Sequence, residues 1–126
     1  MLARYQIVRG ARPTGDPLPE GIRQDTRKHT RHVLRPSAAL VSTFLRDPSS
    51  AAFKTFRSDY LALLAERFRE ERSRFDAIAE LAREADVFLG CNCPTAKQPE
   101  VLRCHTTLAL QFFAAHYPRL RVRMPR

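Results

Sequence analysis

The chain has no tryptophan, two methionines, three cysteines and four glycines among its 126 residues. Each scarcity excludes something. With glycine only at 10, 15, 21 and 90, neither G-x-G-x-x-G nor G-x-x-x-x-G-K occurs, so the phosphate-cradling loops of the common nucleotide enzymes are missing. G-x-S-x-G and H-E-x-x-H are missing as well, which leaves a serine-hydrolase elbow and a zincin helix unsupported. No apolar run approaches the ~18 residues of a membrane-spanning helix, so no membrane partner is expected. Residues 1–9 lack the apolar stretch of a secretory signal. Three cysteines with no sign of export read as thiols in a reducing, cytoplasmic setting and not as a disulfide framework. The length suits one domain spanning 1–126.

What the chain has in excess is positive charge, with 22 Lys+Arg against 13 Asp+Glu. The excess sits at the two ends. Residues 1–35 carry eight basic and three acidic side chains, residues 36–118 carry ten of each, and residues 119–126 carry four arginines and no acid. The neutral middle reads as the folded body. Residues 11–35 read as a basic loop or arm, and 119–126 as a basic tail or an edge strand. Nucleic acid, a small anionic ligand or an acidic protein would all suit such ends, and so would a partnerless solvated surface. The candidate phosphate contacts are Arg23, Arg27, Lys28, Arg31, Arg35, Arg119, Arg121 and Arg123. No aromatic side chains interleave with them, so base stacking is not indicated.

Periodicity divides the body into elements. Tyr5 to Arg9 reads as a short strand. Gly10 to Gly21, with three prolines and three glycines, reads as a loop. Ile22 to Arg35 reads as a surface arm or as a short strand near Val33. Ser37 caps a helix bearing Leu40, Val41, Phe44 and Leu45, which Asp47-Pro48 ends. Ser49 or Ser50 caps the longest helix, where Phe53, Phe56, Tyr60, Leu63, Leu64 and Phe68 form one stripe and Arg67–Glu71 and Glu70–Arg74 offer ion pairs. Phe75, Ile78, Ala79 and Ala82 continue it or start a new helix near Ser73. Asp86 to Gly90 reads as a buried parallel strand. A last helix is expected from Gln98-Pro99, with Val101, Leu102, His105, Leu108, Phe112 and Phe113 on its apolar side. The fold class is therefore α/β: a small, helix-rich, three-layer domain with a short, mostly parallel sheet. One further strand must come from 22–35 or 119–126, because two strands alone are too few.

Chemistry concentrates at Gly90-Cys91-Asn92-Cys93-Pro94 and Arg103-Cys104-His105. The first leaves the end of a buried strand and the second opens a helix, which is where ligands bind in open α/β sheets. Cys91, Asn92, Cys93, Arg103 and His105 are the candidate ligand-binding set. Three readings of the cysteines stay open. Cys91, Cys93, Cys104 and His105 supply donors that zinc prefers, but the spacing matches no zinc finger and Cys104 and His105 diverge by ~100° on a regular helix, so three ligands, Cys91, Cys93 and either Cys104 or His105, fit one site better than four. A thiol lowered by the helix start, His105 or Arg103 would be a nucleophile. Cysteine also packs simply as a small hydrophobe. His116, at the far end of the helix, reads as a capping group, and His29 and His32 have nothing nearby to complete a metal set.

The order Phe56-x3-Tyr60-x2-Leu63, Leu81-Ala82, Val87-Phe88-Leu89, Cys91-x-Cys93 and Cys104-His105-x2-Leu108 resembles the YeaO-like family, bacterial domains of unknown function. The resemblance covers roughly residues 44–116. It implies a compact bacterial α/β domain, with the family's helix histidine at His105 and its small-residue loop at 91–94. Thr106 stands where many relatives carry arginine, and the family's early Trp-Pro-Arg-Gly stretch has no counterpart. The functions expected are a cytoplasmic ligand- or anion-binding protein, a nucleic-acid-binding accessory protein, or a zinc-binding or thiol-dependent enzyme.

Overall fold

The computed structural model describes all residues 1–126. Its elements run β1 (Leu2–Gln6), β2 (Ile22–Asp25), α1 (Ala38–Arg46), α2 (Ser50–Glu70), α3 (Arg72–Glu84), β3 (Val87–Cys91), a 3₁₀ turn (Val101–Arg103) and α4 (His105–His116). The three strands form one parallel sheet in the order β1-β3-β2. This is the expected small, helix-rich α/β domain. No helix is long and apolar enough to cross a membrane.

All five residues of β3 are buried, as a central parallel strand requires. Val87 and Leu89 point to the helical side and join a core with Phe75, Leu108, Leu110 and Phe113. α4 lies on the sheet against β1 and β3, and α2 lies across α4 with α1 beside it. Phe88 and Gly90 point to the opposite side, which no helix covers. There a Cβ on Gly90 would meet the Tyr5 ring at 2.7 Å and Ile7 at 2.9 Å. β1 and β2 are joined by residues 7–21 with no helix between them. A parallel crossover needs about a dozen residues, and this proline-rich loop supplies them. Gly21, at φ +139°, sits against the Asp86 carbonyl, so only glycine fits there.

Several boundaries differ from expectation. β1 begins at Leu2, not Tyr5, because Leu2 and Ala3 are the buried residues registered with Val87 and Phe88. The missing strand comes from Ile22–Asp25 and not from Val33, which lies in a turn. The segment 22–35 is not a loose arm. Val33 and Leu34 are buried, the Tyr60 hydroxyl donates to the Leu34 carbonyl at 2.6 Å, and Arg67 donates to the carbonyls of Val33 and Arg35 at 2.7 and 2.6 Å. Arg67 is thereby diverted from Glu71, which pairs with Arg74 instead at 3.0 Å. Ser37 and Ser49 cap α1 and α2 as their positions predict. α2 and α3 are separate helices broken at Glu71. Residues 119–126 form no strand, but one isolated parallel bridge ties them to β1: Leu2 N–H donates to Arg121 O and Arg123 N–H to Leu2 O.

The last helix starts at His105, seven residues after Gln98. Gln98 stops it from starting earlier. Its side-chain carbonyl accepts from Glu100 N–H and its amide donates to Glu100 O, which satisfies the backbone in a non-helical shape. Leu102 consequently lies outside α4 and is exposed, not on the apolar stripe.

Candidate metal and ligand site

The C-terminal ends of β3 and β2 and the start of α4 meet at one corner of the molecule. Cys91 is the last residue of β3, Cys93 follows in the loop, and Cys104 precedes α4. Cys104 has extended backbone angles, φ −74° and ψ 146°. It is therefore off the helix, and the ~100° divergence from His105 expected of two helical neighbours does not apply. Its Sγ turns toward Cys91 and Cys93, and the three sulfurs lie within 4.8 Å of one another, a group that can hold a metal ion. All three are free thiols.

His105 is next to this triangle and not part of it. The Thr26 hydroxyl donates its one proton to Gly90 O at 2.9 Å, so it accepts from His105 Nε2, 2.8 Å away. Nε2–H also points at Thr26 O at 3.1 Å. Nδ1 faces Cys104 Sγ at 3.9 Å. Tyr60 closes the site from below with its ring edge-on to the imidazole.

Other donors converge on the sulfurs. Thr106 Oγ1 donates to Cys104 Sγ at 3.1 Å, and Arg4 Nε donates to that hydroxyl at 2.8 Å. Arg4 also donates to the Cys93 carbonyl at 2.6 Å. The Gln98 amide reaches Cys93 Sγ at 3.6 Å. Contacts from Cys91 and Cys93, with help from His105, hold the Cys104 thiol well below its ordinary range. The same contact with Cys104, together with burial, pushes Cys93 up to about 11 and Cys91 further still.

The sulfurs form one wall of a cavity of about 220 Å³. Val41, Phe44, Leu45 and Phe56 form its apolar side, and Arg27, Lys28, His29 and Arg103 lie around it. No carboxylate lines it. Asp25 holds Arg27 at 2.8 Å and Glu100 holds Arg103 at 3.1 Å, both from outside the cavity. Asn92 is exposed, and its Oδ1 accepts from Arg27 at 3.1 Å. Arg103 also reaches Ser50 Oγ and covers the Phe53 ring.

The structure thus gathers Cys91, Cys93, Cys104, His105, Asn92 and Arg103 at one place. It adds Arg27 and Lys28, which their sequence context assigned to a basic arm. Arg23, Arg31 and Arg35 lie elsewhere along 22–35, and Arg119, Arg121 and Arg123 lie beside β1. Arg4, Thr26, Gln98 and the Thr106 hydroxyl were not legible as site residues, since none belongs to a motif and two of them, Arg4 and Thr26, reach the site from other elements. His116 stacks on Phe112 with ring centroids 4.1 Å apart. Comparisons with protein-family models, curated proteins and solved structures give no match to this chain.

Proposed function

We propose that Cys91, Cys93 and Cys104 bind one thiophilic metal ion, zinc foremost, with a coordination position left open to the adjacent cavity. The observation that carries this is the sulfur triangle, whose members come from a strand end, a loop and a helix start. Soft thiolates select zinc and copper(I), and three protein donors on zinc leave a fourth position for water or ligand. Thr106, Gln98 and His105 supply outer groups of the kind that orient metal-bound sulfur. The reading is a metal-dependent ligand-binding protein or enzyme. The YeaO-like assignment belongs to the same proposal, supported by the strand, small loop and helix histidine at 87–105.

The test is elemental analysis of protein purified without chelator or affinity metal. One zinc per chain is expected, falling below a tenth of that in Cys104→Ser. A metal content that Cys104→Ser leaves unchanged refutes the site. Cobalt(II) substitution adds a second readout, since thiolate-to-cobalt charge transfer appears only when sulfur ligates.

A second reading uses the basic ends for nucleic-acid backbone contact. What supports it is that Arg23 is registered beside Phe88 while Arg123 lies over the Phe88 ring at 5.8 Å, so both ends reach the helix-free side of the sheet. Binding to a DNA or RNA duplex should then weaken by about 0.9 log units per log of salt for each phosphate contact. Flat salt dependence rules it out.

A further inference from the structure

We infer that the cavity beside the sulfurs takes a small organic monocarboxylate with a compact apolar body, the body against Phe44 and Phe56 and the head group toward Lys28 and the metal position. The inference deepens the metal-site reading and depends on it only for the metal's share of the affinity.

Three features of the cavity point to this class. The first is its size. At about 220 Å³ it is smaller than the ~300 Å³ at which drug-sized pockets begin. A molecule the size of benzoate suits a space of this size. The second is its division into two halves. Val41, Phe44, Leu45 and Phe56 present aliphatic and aromatic surface, with the two rings 5.3 Å apart. A fully hydrated ion such as free phosphate gains nothing from that half, and an apolar body gains about 25 cal/mol per Å² buried. The third is the sign of the polar half. The lining holds three fixed cations and no carboxylate. Arg27 and Arg103 each have an acidic partner behind them, while Lys28 is exposed with no ion-pair partner. Lys28 is thus the cation free to meet a head group. A metal ion on the three sulfurs would offer that head group an oxygen-accepting position on the same side.

The test is calorimetric titration of zinc-loaded and metal-free protein with benzoate, its neutral isostere benzamide and inorganic phosphate. Benzoate should bind at least tenfold more tightly than benzamide or phosphate, and more tightly to the zinc form. Lys28→Glu, a change at an exposed position, should weaken benzoate binding about tenfold and leave benzamide unaffected. In cobalt-substituted protein, benzoate should alter the visible spectrum. Equal affinity for benzoate and benzamide overturns the charge argument, and equal affinity for benzoate and phosphate overturns the apolar one. Binding of none of the three to either form overturns the inference and leaves zinc content to judge the metal site alone. If zinc fails to bind while metal-free protein still prefers benzoate, the metal reading falls and this inference stands.

Discussion

His105 Nε2–H and the Thr26 hydroxyl are bonded at 2.8 Å across seventy-nine residues of sequence. That hydroxyl donates to Gly90 O, and its bond with His105 Nε2 orients the ring so that Nδ1 faces Cys104. One threonine at the end of β2 therefore orients a group at the start of α4. Thr26→Val keeps the shape and removes the hydroxyl. It should cost about 1–3 kcal/mol in chemical denaturation, the usual loss for a buried donor left under-satisfied. Chelator competition should show metal affinity reduced by about 10- to 100-fold, as for other outer-shell changes.

Arg4 acts on the same cluster from β1. It donates to Thr106 Oγ1 and to the Cys93 carbonyl, so one guanidinium ties two of the three cysteine segments together. Arg4→Lys keeps the charge but lacks the planar fork. The lysine variant should lose about 1–2 kcal/mol of stability and release metal to a chelator faster than the parent, whereas a pure charge effect would leave both unchanged.

Tyr60 holds the basic segment to the helices through its bond to Leu34 O. Tyr60→Phe should cost about 1–2 kcal/mol by leaving a buried carbonyl unpaired. Amide exchange should rise at Val33 and Leu34 before it rises in β3. Uniform protection would mean that Arg67 alone anchors the segment.

His32 gives the fold a pH dependence. Its Nδ1 accepts from Leu34 N–H and its Nε2–H donates to Gln24 Oε1, so the ring is held neutral. Burial first, then Arg74, with His105 and Arg35 adding and Asp25 opposing, lowers it to about 4. An unfolded histidine takes up its proton near ~6.5, so between that pH and about 4 the unfolded chain binds more protons. Stability should therefore fall as pH falls through this window, by an amount on the order of 2 kcal/mol, and level off below it. Denaturation midpoints of His32→Asn, measured from pH 7 to 4, should decline less than those of the parent.

Much of the fold is visible in local pattern. Ser37 was readable as a cap, and the α2 cap was narrowed to Ser49 or Ser50, because capping needs only a side-chain oxygen next to free N–H groups. The β3 run was readable because a strand buried on both faces must be apolar throughout. The start of α4 was not, because Gln98 bonds the backbone around Glu100 and holds it in another shape. The same displacement left open whether Cys104 or His105 joins Cys91 and Cys93. Counted along a helix from Pro99, Cys104 and His105 cannot serve one site; with Cys104 extended, its sulfur joins Cys91 and Cys93 while His105 turns to Thr26.

The linear order of residues settled that helices fill the middle of the chain and that β3 is a buried strand, that the middle is neutral and the ends basic, and that Cys91, Cys93, Cys104 and His105 flank one strand–loop–helix step. These depend on neighbours within a few positions, where side-chain spacing and capping act. Only the tertiary arrangement decided that Arg4 and Thr26 support the cysteine site, that Arg27 and Lys28 border a cavity, and that the basic segment is packed against α2. Those outcomes rest on contacts between parts of the chain far apart in sequence, such as Arg4 with Thr106, and no local pattern encodes which distant carbonyl or sulfur a guanidinium or amide will meet.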